Sequence, residues 1–148
     1  MGIIAFITNR SFIDSRTFDG FRRFVAQEFA EVYVVDLGGD VRANPKLSGT
    51  KHNVFGIQTG VAIAFLVKRR GKAGQGCRIH YARRPEFDTA EDKLAWLGSN
   101  SASRVSFQQV APDEKGNWVN QTENDWDSLI PVADKKTKTN IISSSASR

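Results

Sequence analysis

The chain has 148 residues, which is enough for one domain with a hydrophobic core of its own. Hydrophobic residues make up 40% and charged residues 25%, as in a globular protein, and no stretch has the length of a membrane span or the pattern of a signal peptide. We therefore expect no membrane partner. The single cysteine, Cys77, excludes a disulfide framework and points to the reducing cytoplasm.

The formal net charge of +5 is unevenly distributed along the chain. Residues 1–83 hold 13 Lys and Arg against 6 Asp and Glu, whereas residues 84–148 hold 8 against 10. A basic half of this kind is typical of proteins that bind a polyanion such as nucleic acid. A solvated basic surface explains the charge equally well.

Three short runs of almost purely apolar residues give the strongest structural signal: Ile3–Thr8, Val32–Leu37 and Val61–Val67. None of them alternates apolar with polar residues, as a strand with one face in water would. We therefore predict strands that are buried on both faces, in an α/β sheet covered by helices. Only one strong helical pattern lies near them, so the chain is expected to be one side of a larger α/β domain.

The helical pattern covers Thr17–Phe29, between the first two strands. Its apolar residues recur at helical spacing: Phe18, Phe21, Val25 and Phe29, widened by Phe24. Thr17 suits the N-cap, and Arg22 and Arg23 are expected on the solvated outer face. Asn9–Arg16 is predicted to be a loop. The strand, helix and strand form a βαβ unit, so the two strands are predicted to be parallel with a right-handed crossover.

A long polar loop, Gly38–Asn53, follows the second strand. Loops of this length are usually functional or disordered, and this one lies at the C-terminal strand ends, where open α/β sheets bind ligands. Further along, the Gly-rich turn Gly71–Gly76 joins Val61–Val67 to Cys77–Arg83, which predicts an antiparallel hairpin. That turn lacks the order of a phosphate-binding loop, and Gly38–Gly39 is weak evidence for a dinucleotide site.

The second half of the chain contains one clear helix signal. Thr89 and Asp92 have the spacing of a capping box, and Gly98 suits a C-cap, so Ala90–Leu97 is predicted to be a short helix. Val105–Val110 is a candidate strand.

Three stretches, in this order, resemble a known family: GIIAFITNRSF at 2–12, the Asp-Leu-Gly-Gly turn at 36–39 and NVFGIQTGVAIAFLVK at 53–68. They are similar to the adenine-N6 DNA methyltransferase domain of single-chain restriction–modification enzymes of the type ISP and related type II kinds. The resemblance runs to about Thr139. It implies the late strands of a Rossmann-like methyltransferase sheet, S-adenosylmethionine as cofactor of the intact parent enzyme, and double-stranded DNA as its partner. The target adenine would be flipped out of the duplex.

The resemblance also implies a strand arrangement. Val61–Val67 would insert antiparallel between Ile3–Thr8 and Val32–Leu37. Ile3–Thr8 would then be an apolar edge that is open to self-association.

Two motifs of that family are absent from the chain: a Gly-rich cofactor loop after a first strand, and Asn-Pro-Pro-Tyr, which Asn44-Pro45-Lys46 does not match. No catalytic or cofactor-binding residue is therefore carried over. The chain alone is expected to bind no S-adenosylmethionine and to have no methyltransferase activity. His52 and His80 have no second ligand at metal-binding spacing, so no metal is expected.

The resemblance divides the chain into three parts. Residues 1–84 match the C-terminal part of the catalytic domain, and residues 85–133 match a connector toward a target-recognition region. Residues 134–148 end in NIISSSASR, which matches neither a helix nor that region, and are expected to be disordered or truncated.

The residues carried over bind the target base. Phe55 matches the aromatic position that stacks on the flipped adenine; the alternative is a core phenylalanine, since the chain has ten. Thr8 and Asn9 lie at the C-terminal end of the first strand and would line the adenine pocket, although Asn9 is equally suited to cap the loop that follows. Asn53 would line the pocket as well.

The basic residues of the long loop, Arg42, Lys46 and Lys51, would contact DNA phosphates, which position DNA without reading its sequence. A solvated loop is the alternative. The whole chain has two alternative interpretations besides the methyltransferase fragment: a non-enzymatic nucleic-acid-binding module, and the remnant of a decayed gene.

Overall fold

The computed structural model describes residues 1–44, 46–47, 49–71 and 76–119, and the backbone of 133–134 and 139–140. A mixed five-stranded sheet has the strand order β1-β3-β2-β4-β5. The strands are β1 (Gly2–Asn9), β2 (Glu31–Gly38), β3 (Val61–Lys68), β4 (Arg78–Arg83) and β5 (Gln108–Val110). The helices are α1 (Ser11–Asp14), α2 (Asp19–Glu28) and α3 (Ala90–Ser99). A separate two-stranded ladder pairs β6 (Ala133–Asp134) with β7 (Thr139–Asn140); the rest of the C-terminal tail lies outside the described residues.

The arrangement of the first three strands is the predicted one. β3 lies between β1 and β2 and is antiparallel to both, so β1 and β2 are parallel to each other, as the βαβ pattern indicates. Across the sheet, Ala5 is opposite Phe65, and Phe65 is opposite Tyr33. The α/β class and the buried character of β2 and β3 are confirmed.

The predicted hairpin between β3 and β4 is wrong. β4 instead pairs with β2, in parallel, from Glu31 opposite Arg78 to Asp36 opposite Arg83. The physical reason is that β1 and β2 already occupy both edges of β3, so β4 cannot pair with β3; it pairs instead along the outer edge of β2. The candidate strand Val105–Val110 is shorter than predicted: only β5 pairs, antiparallel to β4.

The hydrophobic core lies on one face of the sheet, where α1 and α2 pack. Its buried members are Phe12, Ile13, Val25, Val32, Val34, Ala62, Ala64, Leu66, Ile79 and Trp118. Burial of each large apolar side chain contributes about 1.5–3 kcal/mol. Because Trp118 belongs to this core and β5 belongs to the sheet, the described residues between 85 and 119 pack together with the first half of the chain.

β1 differs from the other strands because it is largely exposed. Ile3 and Ile7, on the sheet face opposite the core, are 58% and 55% exposed. The expectation of burial on both faces is therefore wrong for β1 in this chain: within the part of the chain that the structure describes, it has a neighbouring strand on one side only, and no helix covers that face at its end of the sheet. Phe18, just before α2, and Phe24, on α2, are exposed as well. No helix in the described part of the chain has the length and apolar character needed to cross a membrane.

The first helical region is more broken than predicted. Ser11–Asp14 forms the short helix α1 in the segment expected to be a loop, and a 3-10 turn over Arg16–Phe18 precedes α2. Thr17 lies inside that turn, so the N-cap of α2 is Phe18, which has no side-chain capping bond. The helical region begins earlier than predicted because the side-chain oxygen of Asn9, rather than that of Thr17, accepts a hydrogen bond at its start, from the Ser11 N–H.

Arg22 is fully buried, so its predicted place on the solvated face of α2 is wrong. Its guanidinium donates to the carbonyl oxygens of Phe12 (3.1 Å), Ser15 (2.8 Å) and Gly116 (2.9 Å), and to Asn117 Oδ1. Because these acceptors satisfy the buried charge, Arg22 can lie inside the protein and join α2 to the segment before Trp118. Burial nevertheless lowers the pKa of Arg22.

The capping box at the start of α3 is confirmed. The Thr89 side chain accepts from the Asp92 backbone N–H, and the Asp92 carboxylate accepts from the Thr89 N–H. The predicted end of α3 is wrong, because the helix continues through Gly98 and ends with Asn100 as its C-cap. The Asn100 side chain donates to the Trp96 carbonyl oxygen and so satisfies that end of the helix.

Glu31 is a buried carboxylate at the N-terminal end of β2. The Tyr33 hydroxyl donates to it at 2.5 Å, and Arg69 and Arg78 each lie 2.7 Å from it. The Tyr33 hydrogen bond, followed by the two arginines, lowers the pKa of Glu31 below its ordinary 4.5. Because the folded state then binds this proton more weakly than the unfolded state, the carboxylate stabilises the fold above about pH 4.5, and the contribution is lost as pH falls through the folded pKa.

We expect Glu31→Gln to lower the free energy of unfolding by about 1–3 kcal/mol at pH 7 and to have a much smaller effect near pH 3. Urea unfolding at both pH values measures the difference. Glu28→Gln is the matched control, because Glu28 pairs with Lys68 on the exposed surface and its loss should change little at either pH. An equal effect of Glu31→Gln at the two pH values would contradict the assignment.

Candidate nucleic-acid interface

A buried carboxylate organises the C-terminal edge of β2. Asp36 is fully buried and accepts hydrogen bonds from Arg10 Nε (3.1 and 3.2 Å), the Tyr81 hydroxyl (2.7 Å) and the Gly38 backbone N–H (2.9 Å). Arg10 Nη2 lies 3.0 Å from the same carboxylate, and Arg10 Nη1 lies 2.9 Å from Asp14. This network, which we call the Asp36 network, joins the ends of β1, β2 and β4 to α1.

Arg10 keeps its charge within this network. Burial by itself disfavours charged Arg10, but the hydrogen bond and charge of Asp36 raise the pKa of Arg10 above its ordinary value. Burial, followed by the charge of Asp36, raises the pKa of the Tyr81 hydroxyl. None of these three residues was singled out from the sequence. The available signal was Asp36 itself, since a charged residue at the end of an apolar run requires a buried partner.

Gly60 connects this network to the start of β3. Its carbonyl oxygen accepts from the Arg10 backbone N–H at 2.9 Å. A Cβ on Gly60 would lie 2.4 Å from Arg10 Cδ, so only glycine leaves room for the arginine side chain. The end of β1 and the start of β3 are therefore held together at this edge.

The long polar loop after β2 is folded against the protein. The Val41 N–H donates to the Gln58 carbonyl oxygen, and the Leu47 side chain is fully buried. From α3, the fully buried Lys93 donates its Nζ to the His52 carbonyl oxygen. Burial lowers the pKa of Lys93. The described residues of the loop are therefore held to the rest of the protein by hydrogen bonds and by a buried side chain.

Phe55 lies on a tight turn that leads into β3. The buried Asn53 side chain builds this turn: its Oδ1 accepts from the Phe55 N–H at 2.9 Å, and its Nδ2 donates to the Thr59 carbonyl oxygen at 2.7 Å. Gly56, at φ +65°, donates its N–H to the Asn53 carbonyl oxygen. The backbone of the turn is thus fixed, while the Phe55 ring is 58% exposed and is not part of the core.

Asn53 therefore lies next to Phe55 as a structural residue of the turn, with its side chain buried. Thr8 and Asn9 are exposed at the end of β1, where Asn9 is opposite Val61 in the sheet. Asn9 Oδ1 accepts from the Ser11 N–H (2.8 Å) and the Ser11 hydroxyl (2.7 Å), so the Asn9 side chain is bonded to the first residue of α1. The sheet brings the ends of β1 and the turn to the same edge. Among the described residues, no hydrogen bond joins Thr8 or Asn9 to Asn53 or Phe55.

The three basic residues of the loop are exposed. Arg42, Lys46 and Lys51 form no ion pair with any residue that the structure describes. Their charges are therefore available to an external anion.

The histidines and the cysteine have local structural partners. His52 Nδ1 lies 3.1 Å from the Asp88 carbonyl oxygen, and the His80 ring stacks on Tyr33 with centroids 4.5 Å apart. Within the described ranges, no group of three or more potential metal ligands occurs. Burial raises the pKa of the Cys77 thiol to about 11, so the thiol is protonated at neutral pH and its role is in packing.

The glycine pair after β2 is not arranged as an open cofactor loop for S-adenosylmethionine at Gly39. The glycine pair after β2 is the nearest equivalent of a cofactor loop, and Gly39 has φ +79°. A Cβ on Gly39 would lie 2.6 Å from the His52 carbonyl oxygen, so the space beside this glycine is filled by the chain's own loop and is not open to a ligand.

Solved structures of DNA-bound enzymes contain segments similar to this chain. A cryo-EM structure of a DrdV–DNA complex matches with 42% identity and a TM-score of 0.72, over 93% of this chain and 14% of that one. The ATP-dependent Type ISP restriction–modification enzyme LlaBIII bound to DNA matches with 36% identity and a TM-score of 0.71, over 91% and 9%. A nuclease-deletion mutant of the Type ISP restriction–modification enzyme LlaGI, in complex with a DNA substrate mimic, matches with 32% identity and a TM-score of 0.76, over 90% and 13%.

The chain thus spans 9–14% of the length of these enzymes. No protein-family model matches it, and no curated protein matches it. The expected relationship to restriction–modification enzymes that bind DNA is confirmed. The assignment to their methyltransferase region stays a prediction.

Proposed function

We propose that this chain is part of the DNA methyltransferase region of a restriction–modification enzyme. In the intact enzyme, S-adenosylmethionine would supply a methyl group for the exocyclic nitrogen of an adenine. The share of this chain is to hold the extrahelical adenine and the adjacent DNA backbone. Two findings support the proposal. The chain is similar to segments of DNA-bound Type ISP enzymes, and the three motifs in residues 2–68 occur in the same order as in the family that they resemble.

The observation that carries the proposal is the exposure of Phe55 on a fixed turn. Exposing a phenylalanine ring costs free energy, because the same ring buried in a core would contribute stability. The turn is nevertheless built to hold it outward, by the two hydrogen bonds of the Asn53 side chain. A rigidly presented aromatic ring suits stacking on a base, which is worth about 1–3 kcal/mol per base.

The remaining residues act around this ring. Arg42, Lys46 and Lys51 neutralise DNA phosphates from the loop that ends at Asn53. The Asp36 network keeps the loop and the end of β1 at one edge of the sheet. No stretch of the sequence matches the family's cofactor loop or Asn-Pro-Pro-Tyr motif, so the 148-residue chain is expected to bind DNA without methylating it.

Phe55→Ala tests the proposal in the chain itself. The probe is a duplex with 2-aminopurine opposite an abasic site, because a base without a partner is easily extruded. We expect Phe55→Ala to weaken binding of this duplex by about 5- to 150-fold, the equivalent of the stacking energy, with a smaller effect on a fully paired duplex. Fluorescence anisotropy measures the affinity, and the 2-aminopurine emission reports stacking.

Phe24→Ala is the matched control, since Phe24 is 57% exposed but belongs to α2 and not to the turn. Both variants should unfold within about 1 kcal/mol of the parent chain, because neither ring is buried. If Phe55→Ala binds the extrahelical base as tightly as Phe24→Ala does, the base-stacking role is wrong. If the loop lysines alone then affect DNA binding, the chain is a non-enzymatic nucleic-acid-binding module.

A further inference from the structure

A cavity of about 430 Å³ lies on the sheet face opposite the core, between β2 and β4 on one side and α3 with the segment before β5 on the other. Val35 and Ala82 form its floor, and Trp96 forms part of its wall. This volume is within the range of ligand sites in proteins. The proposed base-binding turn does not contribute to it, so it is a separate feature of the molecule.

The charged lining of the cavity is entirely basic: it includes Arg83, Arg84 and Arg104 and contains no carboxylate. Arg84 is held in place from two sides. Its guanidinium lies 4.6 Å from the centre of the Trp96 ring and donates to Asp88. The wall formed by Arg84 and Trp96 is therefore rigid, but the charge of Arg84 is already paired.

Arg104 is the lining arginine whose charge is available. Arg83 pairs with Glu86 outside the lining, whereas Arg104 is exposed and forms no ion pair with any described residue. Ser106 and Gln108 line the cavity beside it, are exposed, and have no side-chain hydrogen bond within the described ranges. A guanidinium, a hydroxyl and an amide thus line the same cavity, and none of the three has a described side-chain partner.

We propose that this cavity binds a phosphodiester group of DNA, with Arg104 as the phosphate-binding residue. The inference rests on the proposed function insofar as DNA is the partner, and it adds a contact that the loop and Phe55 do not provide. A planar guanidinium with five donors suits bidentate contact with phosphate oxygens. The Ser106 hydroxyl and the Gln108 amide supply neutral donors of the kind that commonly contact the DNA backbone.

The position of the cavity suits a DNA strand that also reaches the loop. Tyr81 lines the cavity, and its hydroxyl donates to Asp36, so the cavity and the Asp36 network share a wall. β2 and β4 are parallel, and their C-terminal ends lie at the same edge as the long polar loop Gly38–Asn53. DNA that contacts Lys51 at this edge would continue along it to Arg104.

The test measures binding of a fluorescein-labelled 12-base-pair duplex to the whole chain between 50 mM and 200 mM salt. Arg104→Ala should weaken binding by about tenfold at 50 mM salt and make the slope of log K against log salt shallower by about 1, as expected for one lost phosphate contact. Arg70→Ala is the matched control. Arg70 is also exposed, and it follows β3 at the opposite edge of the sheet. Its substitution removes the same charge as that of Arg104. The Trp96 indole resonance should shift on addition of the duplex to the parent chain.

The outcomes separate this inference from the proposed function. Equal slopes for Arg104→Ala and Arg70→Ala, with an unmoved Trp96 resonance, would overturn the cavity site and leave Phe55 and the loop unaffected. A reduced slope for Arg104→Ala combined with no effect of Phe55→Ala would support the cavity site and overturn the base-stacking role. Absence of duplex binding by the parent chain at 50 mM salt would overturn both. Since Arg104 is exposed, thermal unfolding should be unchanged by its substitution.

Discussion

Asp36→Asn is expected to lower the free energy of unfolding by about 3–5 kcal/mol, the cost of leaving one partner of a buried ion pair uncompensated. Asp36 is fully buried, and the Arg10 guanidinium that it neutralises is buried as well. The asparagine amide can accept at one oxygen only, and its NH2 group would be directed at Arg10 or at the Tyr81 hydroxyl, both of which are donors toward Asp36. Urea unfolding followed by circular dichroism measures the loss.

Two further variants separate the charge from its surroundings. Tyr81→Phe removes one hydrogen bond to Asp36 and should cost about 1–2 kcal/mol. Asp40→Asn keeps the Oδ1 that accepts from the Arg42 and Ala43 N–H groups, so it should cost far less than Asp36→Asn. If the Asp36→Asn and Asp40→Asn variants have equal free energies of unfolding, the Asp36 network contributes little to stability.

The chain is expected to self-associate through β1 at high concentration. β1 is an edge strand of eight residues that pairs with β3 alone among the described strands, and Ile3 and Ile7 are more than half exposed on it. A long, apolar and unprotected edge is a template for pairing with another strand. Light scattering across a concentration series should therefore show a mass above that of the monomer.

Ile7→Lys should shift this equilibrium strongly toward the monomer, because a charge on an edge strand opposes pairing. Leu94→Lys is the matched control: Leu94 on α3 has the same 55% exposure as Ile7 but is not on a strand. A parent chain that scatters as a monomer at high concentration would contradict the prediction. So would equal suppression of association by the two variants, since general surface hydrophobicity would then be the cause.

The sequence alone determined the features that depend on neighbouring residues. The apolar runs of β2 and β3 predicted buried strands, because burial on both faces removes the alternation expected of a half-exposed strand. The capping box of Thr89 and Asp92 predicted where α3 begins, since both of its hydrogen bonds span three residues. The place of β3 between β1 and β2, and the relationship to restriction–modification enzymes, followed from the order of motifs rather than from periodicity.

Two features of the candidate sites could not be predicted from the sequence. The exposure of Phe55 could not be read from its residue type, because a phenylalanine next to a buried strand suits a core equally well. It depends on the conformation of the turn, which the Asn53 side chain fixes through hydrogen bonds to the Phe55 N–H and the Thr59 carbonyl oxygen. The cavity around Arg104 was also invisible in the sequence, since its walls come from β2, β4, α3 and the segment that follows α3.

Only the tertiary structure decided which distant groups become partners. The choice of β2 rather than β3 as the neighbour of β4 depends on which strand edge is still unpaired after the first three strands assemble. Arg22 is buried because its acceptors include the Gly116 carbonyl oxygen, 94 positions away, and Asp36 is buried because Arg10, 26 positions away, neutralises it. A charged residue in a local pattern predicts solvent exposure. Its burial is possible only where the fold brings distant acceptors or counter-charges within hydrogen-bonding distance, and that information is not local to the sequence.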